Sequence, residues 1–146
     1  MQLKTQSVAS LDCVRLPLDP PIYYIDESID SKILVAAMTK AGAKIQRVGP
    51  IVPPGSQDET WLKICGEQGW TALMRDKQIR RRVLEKQALK DFSVGAFTYS
   101  GGQATGQQMA DRIVGLLGEI NLKALLTARP FLYTFGLQTA LAKAKL

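Results

Sequence analysis

Histidine does not occur once in the 146 residues. Its absence excludes Ser-His-Asp and Cys-His catalysis, a histidine proton shuttle and histidine-ligated zinc. Cysteine is nearly as scarce: Cys13 and Cys65 stand far apart in no CxxC spacing, which leaves out iron–sulfur and four-cysteine sites and fits reduced thiols. Aromatic residues make up only 7%, too few for a convincing base-stacking platform. Trp61 and Trp70 are assigned to the core, and Tyr23 and Tyr24 to a strand. No apolar run approaches the ~20 residues that cross a bilayer, and the first twenty residues lack the apolar core of a secretory signal. The expectation is a cytoplasmic protein with no membrane segment, whose chemistry, if it is an enzyme, falls to carboxylates.

What is present, 46% apolar and 22% charged residues, has the proportions of one soluble domain over residues 1–146. Such a chain buries roughly 68% of its unfolded surface and needs no staple to fold. Residues 1–21 read as an N-terminal extension, 22–135 as an α/β core and 136–146 as a C-terminal tail, its Leu137/Leu141 stripe suggesting a frayed helix. Within the core, β-rich or apolar runs at 22–25, 44–48, 70–74, 94–99 and 130–135 alternate with helical periodicity. The helices span about 29–41, 56–68 and 79–90, and a last one follows Thr105. Ser56-x-x-Glu59 and Thr105-x-x-Gln108 have capping-box form. The last helix carries Met109, Ile113, Leu116, Leu117, Ile120 and Ala124 on one stripe.

This alternation predicts an α/β fold, a doubly wound sandwich with a mostly parallel sheet of four to five strands and helices on both faces. Ligands of such sheets bind at the carboxyl ends of the strands, where strand order switches. Three acids fall there: Asp26 after the first strand, Asp58 opening the second helix and Asp76 after the third strand. An eleven-residue helix rises ~16 Å and the following strand returns ~17–20 Å, which brings Asp58 and Asp76 to one edge. Without His or Cys nearby, clustered carboxylates call for a hard cation such as Mg2+ or Mn2+, which activates water and stabilises charge on a phosphate. Read singly, Asp26 or Asp76 could cap a helix, and Asp58 and Glu59 could favour the helix dipole.

The charge of +6 is concentrated. From Met74 to Lys90, seven bases (Arg75, Lys77, Arg80, Arg81, Arg82, Lys86, Lys90) face two acids, Asp76 and Glu85, leaving twelve bases and eleven acids elsewhere. Such a run can be a solvated helix face. Beside Asp76 it can also hold phosphates, with Lys77 and Arg80 first and Arg82 next.

Tyr24-Ile25-Asp26-Glu27, Asp58-Glu59-Thr60-Trp61-Leu62 and Leu73-Met74-Arg75-Asp76-Lys77-Gln78-Ile79-Arg80-Arg81 resemble the PIN-like domains, particularly their toxin-type, VapC-like subgroup. The resemblance runs from Tyr23 to Tyr99. It implies a metal-dependent endoribonuclease, with Asp26, Asp58 and Asp76 as catalytic acids holding Mg2+ or Mn2+ and RNA as substrate. Its partners would be a small antitoxin protein and a second copy in a homodimer. Met74 stands where the family has Thr or Ser, and Glu27 or Glu59 are the candidates for a further acid. Two alternatives are a receiver-like phospho-acceptor, with Asp76 phosphorylated, and a catalytically silent PIN-like module that binds RNA or a partner. The receiver reading lacks the expected Lys-Pro at the fifth strand, where the chain has Tyr133-Thr134-Phe135-Gly136.

Overall fold

A computed structural model describes residues 19–75 and 79–146, with backbone only at 79–81. Six strands among these residues are β1 (Ile22–Ile25), β2 (Lys44–Gln46), β3 (Thr71–Arg75), β4 (Gly95–Tyr99), β5 (Phe131–Phe135) and β6 (Ala142–Lys143). Four helices are α1 (Lys32–Lys40), α2 (Asp58–Gln68), α3 (Ile79–Phe92) and α4 (Gly106–Leu126). The sheet order is β2-β1-β3-β4-β5-β6. Strands β1 to β5 run parallel, and β6 pairs antiparallel to β5.

The alternation of each strand decides which layer its side chains join. Tyr23, Ile25, Leu73, Phe97, Tyr99, Phe131, Tyr133 and Phe135 pack with Leu34 and Met38 of α1 and the α4 stripe Met109, Ile113, Leu116, Leu117 and Ile120. Tyr24, Ala72, Met74, Ala96 and Leu132 face the other way, against Trp61, Leu62 and Cys65 of α2 and Ala88 and Leu89 of α3. Both faces of β3 are therefore covered, as its nearly unbroken apolar sequence requires. Trp61 stacks on Tyr24 at 5.1 Å between centroids, and Trp70 lies parallel to the same ring at 6.1 Å. Both tryptophans are core residues.

Two glycines permit close approach rather than a turn. A Cβ on Gly66 would collide with the Phe92 carbonyl oxygen where α2 meets α3, and one on Gly95 would collide with the Phe131 ring. The Arg129 guanidinium donates to the carbonyls of Trp70 and Gly69 and to Thr71 Oγ1, joining the end of α2 to the approach to β5.

Two local expectations change. The S-x-x-E box at Ser56 does not form: α2 starts at Asp58, Gln57 occupies the N-cap without a side-chain bond, and Ser56 Oγ donates to the Pro53 carbonyl at 2.6 Å. The Thr105 box is complete, with Thr105 Oγ1 and the Gln108 side chain bonding reciprocally. The tail is also not helical. Arg112 donates to the carbonyls of Gly136 and Thr139, and the Ala144 N–H donates to Leu132 O. The chain thus turns back along β5 as β6, one strand more than the expected four to five.

Candidate active site

The switch in strand order lies at β1. The chain leaves β1 outward to β2, then returns across it to β3, β4 and β5. The carboxyl ends of β1 and β3 thus diverge in their connections and leave a crevice for a ligand. Asp26 stands at that end of the sheet, immediately after β1. Its backbone N–H continues the ladder to Leu73 O at 3.0 Å, and its carboxylate is buried, at 4% exposure.

A buried carboxylate requires hydrogen-bond donors. Ser28 supplies two: its Oγ donates to Asp26 Oδ2, and its backbone N–H reaches the same oxygen at 3.3 Å. The Asp26 carbonyl meanwhile accepts from the N–H groups of Ile29 and Asp30, so the turn after β1 wraps around this one residue. Ser28 Oγ also accepts the Arg75 backbone N–H at 3.2 Å. One hydroxyl therefore joins the acid of β1 to the last residue of β3, next to Asp76 in the sequence.

Asp58 opens α2 and is half-buried. Its Oδ1 accepts the Trp61 indole N–H at 3.0 Å, and since Trp61 stacks on Tyr24, two residues before Asp26, the core fixes where this acid stands. Asp58 and Glu59 line a cleft of about 300 Å3 with Gly55, Ser56, Gln57, Leu84 and Ala88. Glu59 is exposed. Glu27 is exposed too, and its Oε1 accepts the Gly55 N–H at 3.4 Å, tying the Pro/Gly loop to the end of β1.

Asp76 and Lys77 lie outside the described residues, as does the Arg80 side chain. Arg82 lines a smaller cavity of about 100 Å3 beneath α3, with Met74, Glu85, Thr98 and Thr134 among its walls. That is a different cavity from the one carrying Asp58. Among the described residues no three of His, Cys, Asp and Glu group closely enough to hold a metal ion, so a three-acid site requires Asp76. The donors themselves, carboxylate oxygens with no nitrogen or sulfur among them, suit a hard cation.

Sequence reasoning missed Ser28 and Arg75 as parts of this site. The Asp-x-Ser spacing at 26–28 is the local signal of a side chain returning to the preceding acid. Met74 is 2% exposed in the α2/α3 layer. It pairs with Thr98, and Thr98 with Thr134, so the hydroxyls on that row of the sheet start one strand further on.

Residues 21–101, more than half of the chain, match the family described as PIN like domain. The chain belongs to the PIN-like domain family, and its mostly parallel sheet between helices accords with that membership. At finer grain, it is 24% identical over 115 residues to "Putative ribonuclease VapC45" of Mycobacterium tuberculosis, covering 76% of this chain and 83% of that protein. It is 25% identical over 107 residues to a tRNA (guanine-N(1)-)-methyltransferase of Photobacterium profundum, covering 70% of this chain but only 39% of that one. No solved structure matches. No described helix is long and apolar enough to cross a membrane.

Proposed function

We propose that the chain is a divalent-metal-dependent endoribonuclease and the toxin of a type II toxin–antitoxin pair. The observation that carries this reading is the buried Asp26 at the switch point of a PIN-like sheet, fixed by Ser28, which also bonds the residue before Asp76. The relative named a ribonuclease supports it, aligned over most of both chains.

In this reading Asp26, Asp58 and Asp76 hold Mg2+ or Mn2+, with Glu27 and Glu59 at the margin. When bound, the ion supplies Lewis-acid activation of water and neutralises charge developing on the phosphate. The protein's part is placement: Ser28 orients the Asp26 carboxylate, Trp61 orients that of Asp58, and Lys77, Arg80 and Arg82 hold RNA phosphates. Water displaces the ribose oxygen at phosphorus, so one P–O bond forms as another breaks. An antitoxin would silence the site by presenting Arg or Lys to the acids or acids to the basic run. A homodimer is the expected assembly of the free toxin.

The test is cleavage of a panel of RNAs with Mn2+ by the unsubstituted protein, Asp26→Asn and Asp76→Asn. Both variants should lose at least about a hundredfold in rate. Equal rates for all three overturn the assignment. A second reading, a catalytically silent member that binds RNA, is favoured by Met74 in place of a hydroxyl; salt-sensitive RNA binding without cleavage in any divalent ion would establish it.

A further inference from the structure

Arg75 ends β3 on the sheet face that packs against α1 and α4, in register with Tyr99 and Phe135. Its guanidinium carbon stands 5.4 Å from the centroid of the Tyr99 ring, and one of its nitrogens donates to the Gly102 carbonyl at 3.3 Å. Tyr99 is itself 1% exposed, and the loop after it lies so close that a Cβ on Gly101 would meet the phenol oxygen at 2.5 Å. The ring and the carbonyl hold the guanidinium plane in place. A fixed, planar fork loses less entropy on binding an anion than a free lysine does.

Among the described residues no carboxylate pairs with the Arg75 guanidinium, whereas Arg47 is held by Asp30 at 2.9 Å. Instead Arg75 lines an open cleft of about 460 Å3 with Gln103, Ala104, Thr105 and Gln108. No acid is among these residues. The Gln108 carbonyl oxygen is taken by the Thr105 N–H at 2.9 Å, which leaves its NH2 group as what that side chain can offer. The cleft therefore presents donors: the remaining arms of a guanidinium and primary amides. It also adjoins the acids, because the Arg75 N–H bonds the same Ser28 hydroxyl that bonds Asp26.

We propose that Arg75 and this cleft hold a phosphate of the RNA strand adjacent to the one at the carboxylates, so that the substrate leaves Asp26 toward the start of α4. The proposal rests on the ribonuclease reading and deepens it, since the strand then has a contact away from the basic run of α3. The chemistry matches: a guanidinium fork recognises phosphate oxygens in pairs, and amide donors complete the shell.

Anisotropy of a labelled single-stranded RNA, read over a series of salt concentrations, tests it. Arg75→Gln should weaken binding about tenfold and reduce the salt slope by about 0.7, the share of one phosphate contact on a single strand. Arg75→Lys should restore the slope but not the whole affinity. Gln103→Glu, at an exposed loop position, puts a like charge against the phosphate and should weaken binding without touching the Tyr99 contact. Arg47→Gln, already paired elsewhere, should change neither affinity nor slope. If the unsubstituted protein binds and cuts RNA while Arg75→Gln and Gln103→Glu bind as it does, this proposal falls and the ribonuclease reading stands. If Arg75→Gln unfolds, normal binding by Gln103→Glu still overturns it. RNA neither bound nor cut by the unsubstituted protein overturns both.

Discussion

Ser28 is the residue on which the geometry of the candidate site turns. Its hydroxyl donates to a buried carboxylate and accepts a backbone N–H from a strand 47 positions away. Replacing it by alanine strips Asp26 of one donor and leaves the Arg75 N–H without its acceptor, a loss of about 1–3 kcal/mol. Ser28→Ala should therefore melt lower and cleave RNA roughly tenfold more slowly, whereas Ser28→Thr, which keeps the hydroxyl, should recover most of the rate. A full rate in Ser28→Ala would detach Ser28 from the site. Asp26 is legible in the sequence because an acid directly after a strand stands out by position alone. Ser28 and Arg75 are not, since their roles come from contacts that only the closed sheet creates. Cys65 gives a second residue-level test. Burial pushes its thiol up to about 12 from an ordinary 9.0, with Arg129 opposing and Asp26 adding to the shift. The unfolded thiol ionises first, so the stability linked to this group is whole below about pH 9 and is lost as pH rises toward about 12. Burial pushes Tyr23 and Tyr24 in the same direction. Urea midpoints should fall over that range, and Cys65→Ala should flatten part of the fall.

At the scale of elements, α2 and α4 make a natural comparison, because both carry a hydroxyl residue three positions before Glu or Gln. Only α4 uses it. The Pro53–Pro54–Gly55 approach turns Ser56 back onto the Pro53 carbonyl, so the competing local bond wins over the cap. Thr105→Ala should cost about 1 kcal/mol in urea unfolding, while Ser56→Ala should stay within about 0.5 kcal/mol. Equal losses would mean that Ser56 caps α2 after all. Helix and strand identities are legible because apolar periodicity is set by burial, and burial is what the sheet and its two helical layers supply. The tail is not: its two leucines suggest a helix, but the free edge of β5 and the Arg112 side chain offer its backbone partners that no local pattern announces. A two-residue strand has too few positions to show alternation.

For the molecule as a whole, the informative quantity is where charge lies rather than how much there is. Strand–helix alternation places the carboxyl ends of β1 and β3 at a switch point, and there Asp26 stands beside Arg75. Five of the six net positive charges fall between Met74 and Lys90, from the end of β3 into α3. If RNA reads this local concentration, removing two charges there must matter more than removing two elsewhere. Lys77→Gln/Arg80→Gln and Lys143→Gln/Lys145→Gln each take two positive charges from the net +6. The first pair should reduce the magnitude of the salt slope of RNA binding by about 1.4, two single-strand phosphate contacts. The second pair, on β6 and the residues after it, should leave the slope within about 0.3 of the parent. Equal effects would show that the RNA responds to net charge alone, and would remove Lys77 and Arg80 from the proposed phosphate contacts. Lys143 and Lys145 are exposed, so their loss leaves the core intact and isolates the charge term. Matching thermal melts of the two double variants complete the comparison, because a difference in slope between equally stable proteins is then set by where the RNA touches them.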